Sequence, residues 1–141
     1  MEIKGTIIGK VVLIYCILLT ILLNGCGIQK LDTAEKKTID YTVLSSKDIP
    51  EDFAKEIEKT QDVDFKLTYS DNEYLYIAKG YGERKTGGYS ISVTNFYSST
   101  NTLYFETEIC GPQKGESVNS KKSYPYIVVK IEYTEQPVVF L

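Results

Sequence analysis

NEYLYIAKGYG, residues 72–82, changes character at every step. Leu75 and Ile77 fall on one side of an extended chain, Tyr74 and Tyr76 on the other. A period of two belongs to a strand, since successive side chains there point to opposite faces. The same beat returns downstream. In GGYSISVTNF, residues 87–96, Tyr89, Ile91 and Val93 alternate with Ser90, Ser92 and Thr94. In TLYFETEIC, residues 102–110, Leu103, Phe105 and Ile109 alternate with Tyr104, Glu106 and Glu108. In YIVVKIEY, residues 126–133, Ile127, Val129, Ile131 and Tyr133 alternate with Val128, Lys130 and Glu132. Such segments predict antiparallel strands with one buried and one wetter face. FKLTY at 65–69 is a further candidate, and TEQPVVFL at 134–141 a short edge piece, where Pro137 is tolerated. TIDYTVLS at 38–45 also reads as a strand, being short and β-branched.

One segment has the helical period. In SKDIPEDFAKEIEKT, residues 46–60, Ile49, Phe53 and Ile57 recur every four residues. Asp48 is a candidate N-cap with Glu51 three residues on, and Pro50 sits in the first turn, where its missing N–H costs little. The expected fold is therefore α+β: a small, mostly antiparallel sheet of five or six strands, with one helix packed on the apolar face. ERKTGG at 83–88 is expected to join two strands as a hairpin, and SSTN at 98–101 to be a polar hairpin tip. The segment 110–125 is long for a loop in a small domain, and such loops tend to be functional or mobile.

Composition narrows the function. The chain has 141 residues, enough for one domain and a targeting segment. It carries no His, which removes Ser-His and Cys-His nucleophile pairs and the commonest neutral metal ligand. A net charge of −3 argues against a general nucleic-acid binder. The cysteines, Cys16, Cys26 and Cys110, make neither an even disulfide set nor a CxxC pair. No cofactor and no metal are expected. Twelve Tyr and five Phe, with no Trp, favour strands and half-wet faces.

The N-terminus supplies a location. Lys4 and Lys10 precede VVLIYCILLTILL, residues 11–23, an uncharged run of thirteen residues. That is a positive region followed by a short apolar core, as in a secretory signal. A spanning helix needs about 20 apolar residues. It becomes the alternative only if the span reaches back to Thr6 with Lys10 snorkelling at one interface. Leu23-Asn24-Gly25-Cys26 resembles a bacterial lipobox, with an aliphatic residue at −3 and a small one at −1. Asn24 departs from the usual small residue at −2. The resemblance implies that residues 1–25 are a lipoprotein signal peptide and that Cys26 is acylated with diacylglyceryl and palmitate-type chains. Two such chains hold a protein stably on a membrane, at about 0.8 kcal/mol per buried CH₂. The expected location is thus the outer face of the cell membrane. Losing Lys4, Lys10 and Glu2 leaves 14 basic against 18 acidic side chains, net −4. Residues 26–38 form a polar tether, whose flexible part spans about 20 Å, and 39–141 form a single α+β domain.

Residues 80–93, GYGERKTGGYSISV, are followed by a hairpin, then by Gly111-Pro112, then by SYPYIVVKIEY at 123–133. In that order they resemble the PrcB-type C-terminal domain, over a core of about 74–133. That family is named for an accessory lipoprotein subunit of a surface protease complex in oral spirochaetes. The resemblance implies a non-catalytic, exported partner that helps assemble or stabilise a protease, and it transfers no catalytic residue.

Other groups bear on chemistry. Glu106, Glu108 and Glu132 are candidates for a cation site or an acid/base pair, weighed against a solvated strand face. Cys110 stands at a strand end without a group to activate it. The glycines of GERKTGGY invite a phosphate-cradle reading, but GxGxxG and GxxxxGK[ST] are absent and a hairpin turn suits the string better. Arg84 is the only arginine, and its planar fork suits a carboxylate, either of a partner or of an internal salt bridge. Tyr74, Tyr76, Tyr104 and Tyr126 are expected on the wetter face, where together they would make a contact patch unless a second layer covers them. The reading is of a membrane-anchored, non-enzymatic, protein-binding lipoprotein. Its rivals are an unusual hydrolase, which needs a convergent pocket at the three glutamates, and a binder of cell-wall glycan or a small ligand.

Overall fold

The computed structural model describes residues 35–141 together with Lys10. The leader, the lipobox with Cys26, and the tether before Glu35 lie outside the described residues. The chain divides between Thr33 and Ala34, and every element below belongs to the second unit.

The order is β1 (Lys37–Thr38), β2 (Thr42–Val43), a 3-10 turn (Ser46–Asp48), α1 (Glu51–Thr60), β3 (Asp64–Ser70), β4 (Tyr74–Tyr81), β5 (Ser90–Ser99), β6 (Thr102–Cys110), β7 (Tyr126–Glu132) and β8 (Val138–Phe140). The class is α+β and mostly antiparallel. The expected single sheet of five or six strands is instead two sheets of four. An outer sheet has the order β1-β5-β6-β8, and a central sheet the order β2-β7-β4-β3. Among the described residues, only β6 and β8 run parallel.

Three layers result. Leu75 and Ile77 of β4 and Ile127, Val129 and Ile131 of β7 pack against Phe96, Leu103 and Phe105 of the outer sheet. The opposite face of the central sheet, with Phe65, Tyr76, Ala78 and Val128, packs under Ile49, Phe53 and Ile57. The helix therefore covers the face expected to be wet, and the second sheet covers the apolar one. The central sheet is buried on both sides, so Leu75 through Gly80 are all buried. Tyr81 ties the sheets by hydrogen-bonding Thr107 O at 2.9 Å.

Local chemistry accounts for the remaining differences. The helix starts at Glu51 with Pro50 as N-cap, not at Asp48. The residue before a proline is pushed out of the helical region, and Ile49 is extended at φ −77°, ψ 133°. Asp48 instead accepts a hydrogen bond from the Ser45 hydroxyl. The predicted strand at 38–45 is split. Ile39 N donates to Phe96 O in the outer sheet and Leu44 N to Val128 O in the central one, so the chain crosses between sheets. In β5 a bulge between Val93 and Asn95 shifts the register by one. The shift lets Ile91, Val93 and Phe96 all reach the same core, despite the change of parity. The tip of the β5–β6 hairpin is Thr100-Asn101 with φ 47° and 60°, as a two-residue primed turn requires.

Candidate functional site

Residues 82–89 do not close a hairpin. They carry the chain from β4 in the central sheet to β5 in the outer sheet, which corrects the reading of ERKTGG. Gly82 leaves β4 at φ +72°, and Glu83 N donates to Asp62 O. Arg84 and Ser123 then exchange both backbone hydrogen bonds, at 2.8 and 3.0 Å. Gly87 N donates to Asn119 O at 2.8 Å, and the Ser123 hydroxyl to Thr86 O at 2.6 Å. Gly88, at φ +84°, lies so close to the other loop that a Cβ would stand 2.6 Å from Val118 Cγ1. The string 82–89 is thus paired with the long loop 111–125. Of the glycines read as a phosphate cradle, Gly87 already gives its N–H to Asn119 O, and the neighbouring Glu83 and Arg84 N–H groups also have acceptors.

Charge is unevenly satisfied in this loop pair. Lys122 Nζ meets Glu83 Oε2 at 2.9 Å, and the Tyr124 hydroxyl donates to the same oxygen at 3.3 Å. The Lys122 hydrogen bond holds the Glu83 carboxyl below its usual range and raises Lys122 in return. Tyr124 is raised by burial first and by Glu83 second. Arg84 belongs to no ion pair among the described residues. Its guanidinium carbon lies 5.7 Å from the centre of the Tyr89 ring, and its Nε is buried without a hydrogen-bond partner. The internal salt bridge considered for Arg84 is not made.

The four tyrosines do not form one patch. Tyr76 is 7% exposed beneath α1, with Phe53 and Tyr69 against its ring and its hydroxyl on Asp71 Oδ2 at 3.0 Å. Its expected place on a wet face is overturned, because α1 packs there. Tyr74 and Tyr126 are half-buried at the margin of the same cluster, and Lys130 Nζ stands 4.2 Å from the Tyr74 ring. Tyr104 is on the other sheet, stacked on Tyr97 with centroids 5.0 Å apart. The glutamates are likewise dispersed. Glu106 and Glu108 belong to the outer sheet and Glu132 to the central one, and Glu106 accepts a hydrogen bond from Asn95. Clefts of about 340, 410 and 210 Å³ surround the crossing segment 38–42, and Glu132 lines the second and third. Cys110 is a free, exposed thiol.

The two strings that carried the family resemblance, 80–93 and 123–133, are therefore neighbours in space. They are joined through Arg84 and Ser123. Residues 75–132 match the PrcB C-terminal family model. The match bears out the resemblance read from the sequence. The matched segment runs from β4 to β7, so it holds the central strands of both sheets and both paired loops, and it excludes α1 and β8. Comparison with curated proteins and with solved structures returned no match. Asn119, Lys122, Ser123 and Tyr124 emerge as members of the site that sequence reasoning did not single out. The length of the 111–125 loop was the only signal pointing to them.

Proposed function

We propose that the protein is a membrane-anchored, extracytoplasmic lipoprotein that serves as a non-catalytic accessory subunit, with a protease complex as its setting. The observation that carries this reading is the PrcB C-terminal match over residues 75–132. It encloses the paired loops, and interaction surfaces commonly lie on loops held by a rigid scaffold. The anchoring half rests on Leu23-Asn24-Gly25-Cys26 at the end of an apolar run. A glycan binder would need a row of exposed tyrosines along one groove. The burial of Tyr76 and the separation of Tyr104 from Tyr74 remove that support. Metabolic labelling with a fatty-acid probe tests the anchor. Label on the wild type and none on Cys26→Ala is expected, with the variant retaining its leader. Unlabelled wild-type protein with the leader attached would sink it.

A further inference from the structure

The loops and the chain entry lie at opposite ends of the sandwich. Lys37 pairs with Ser98, next to the β5–β6 hairpin tip, so the chain enters the domain at that end. The loops depart from Tyr81, Ser90, Cys110 and Tyr126, the other ends of the same strands. The eight steps from Ser90 to Ser98 rise about 3.3 Å each. This places the loops roughly 25 Å from the entry. The charge of the loops also opposes that of the chain. Arg84, Lys85, Lys114, Lys121 and Lys122 fall on them against Glu83 and Glu116 alone, in a protein of net charge −3. Of the basic groups, Lys122 has Glu83 as its ion-pair partner. Arg84 has a buried Nε without a hydrogen-bond partner, and its guanidinium stacks by Tyr89.

The buried Nε is out of a partner's reach, but Arg84 as a whole is only half-buried and belongs to no ion pair among the described residues. The guanidinium fork is matched best by a carboxylate that can accept two parallel bonds. We propose that the paired loops 82–89 and 111–125 dock an acidic segment of a protein partner, with Arg84 receiving one of its carboxylates and the lysines steering it in. This inference rests on the accessory-subunit reading and names the chemistry of the partner. A protein is the occupant because the loops lie within the segment that matches the PrcB C-terminal model, and the vesicle titration tests the lipid alternative. Surface lysines of this kind chiefly raise the rate of encounter, while Arg84 sets how long the complex lasts.

The full chain, purified in non-ionic detergent, is titrated at low ionic strength with a short fluorescent peptide of alternating Glu and Gly. Its Gln-Gly counterpart and phosphatidylglycerol vesicles are titrated alongside. Binding of the Glu peptide is expected to be stronger by roughly tenfold or more than that of the Gln peptide, and to weaken as salt screens it. Arg84→Gln is expected to cost roughly another tenfold, with Arg84→Lys recovering only part because the fork is lost. Lys85→Gln, a change at an exposed side chain, guards against a folding defect and is expected to slow association. Lys59→Gln on α1 is expected to change nothing. Equal binding of both peptides, equal losses in Lys59→Gln and Arg84→Gln, or vesicles binding through the loops where the Glu peptide does not, would each overturn the proposal. The titration needs no acyl chain on Cys26, so it fails or succeeds independently of the fatty-acid labelling.

Discussion

Asp71 shows how much one carboxylate can organise. Its Oδ1 accepts from Glu73 N at 2.9 Å and Tyr74 N at 2.6 Å, closing the β3–β4 turn, while Oδ2 accepts from the Tyr76 hydroxyl. The Glu73 and Tyr74 amides, in that order, hold its pKa below the usual value, with smaller help from Tyr76 and Lys130. Tyr76 is pushed up to about 12, by burial first and then by this hydrogen bond. A folded pKa below the unfolded one means that the contribution is complete above the unfolded value, about 3.9. It is then lost as pH falls through the folded value. Asp71→Asn keeps an acceptor oxygen but not the charge. Its melting temperature is expected to lie below wild type at pH 7, and the two curves to converge as the pH falls below about 4. Circular-dichroism melts at stepped pH decide this, and parallel curves down to acid would refute it. Arg84 makes the complementary point. Its identity as the only arginine was legible in the sequence, but its lack of an ion pair was not: Glu83, its neighbour in sequence, pairs instead with Lys122 from a distant loop.

Elements were legible wherever a period could speak. The four alternating segments and the helical stripe all appear, and Ile49, Phe53 and Ile57 are buried as their spacing predicts. What period two does not encode is the identity of the layer on each side. Tyr76 and Val128 look like occupants of a wetter face, but a tyrosine ring packs well under a helix when its hydroxyl finds Asp71. The string ERKTGG has the glycines of a hairpin, and its destination in the other sheet is fixed by Asn119 and Ser123, more than thirty residues away. Within β4, Gly80 has a role that no pattern announces. It stands opposite Phe65 of β3, whose ring lies over it, and a Cβ there would meet Phe65 Cε1 at 2.0 Å. Gly80→Ala is therefore expected to drive the ring away from the α1 cluster and to destabilise the fold by about 1–3 kcal/mol, as overpacking does. Urea denaturation measures it. A variant as stable as wild type would mean that β3 and α1 shift freely, against the burial of Phe65.

At the scale of the molecule, the layer order ranks the elements by persistence. β4 and β7 have a sheet on one face and a helix on the other, and each is hydrogen-bonded along both edges for at least part of its length. β1 and β2 have two residues each and β8 three, so each offers few hydrogen bonds to break before it opens. α1 lies on the surface of one layer and can detach without separating the two sheets. Local opening follows such differences in burial and pairing. Hydrogen exchange read by mass spectrometry is therefore expected to leave β4 and β7 protected longest, β5 and β6 next, α1 earlier, and β1, β2 and β8 first. The order matters for docking, because the paired loops spring from the ends of the four slowest strands. A site built there is held still at its roots, even while the crossing segment 38–42 opens at the other pole. Were α1 to outlast β4, the helix and not the central sheet would be the organising layer, and the rigidity assigned to the loop bases would have no source.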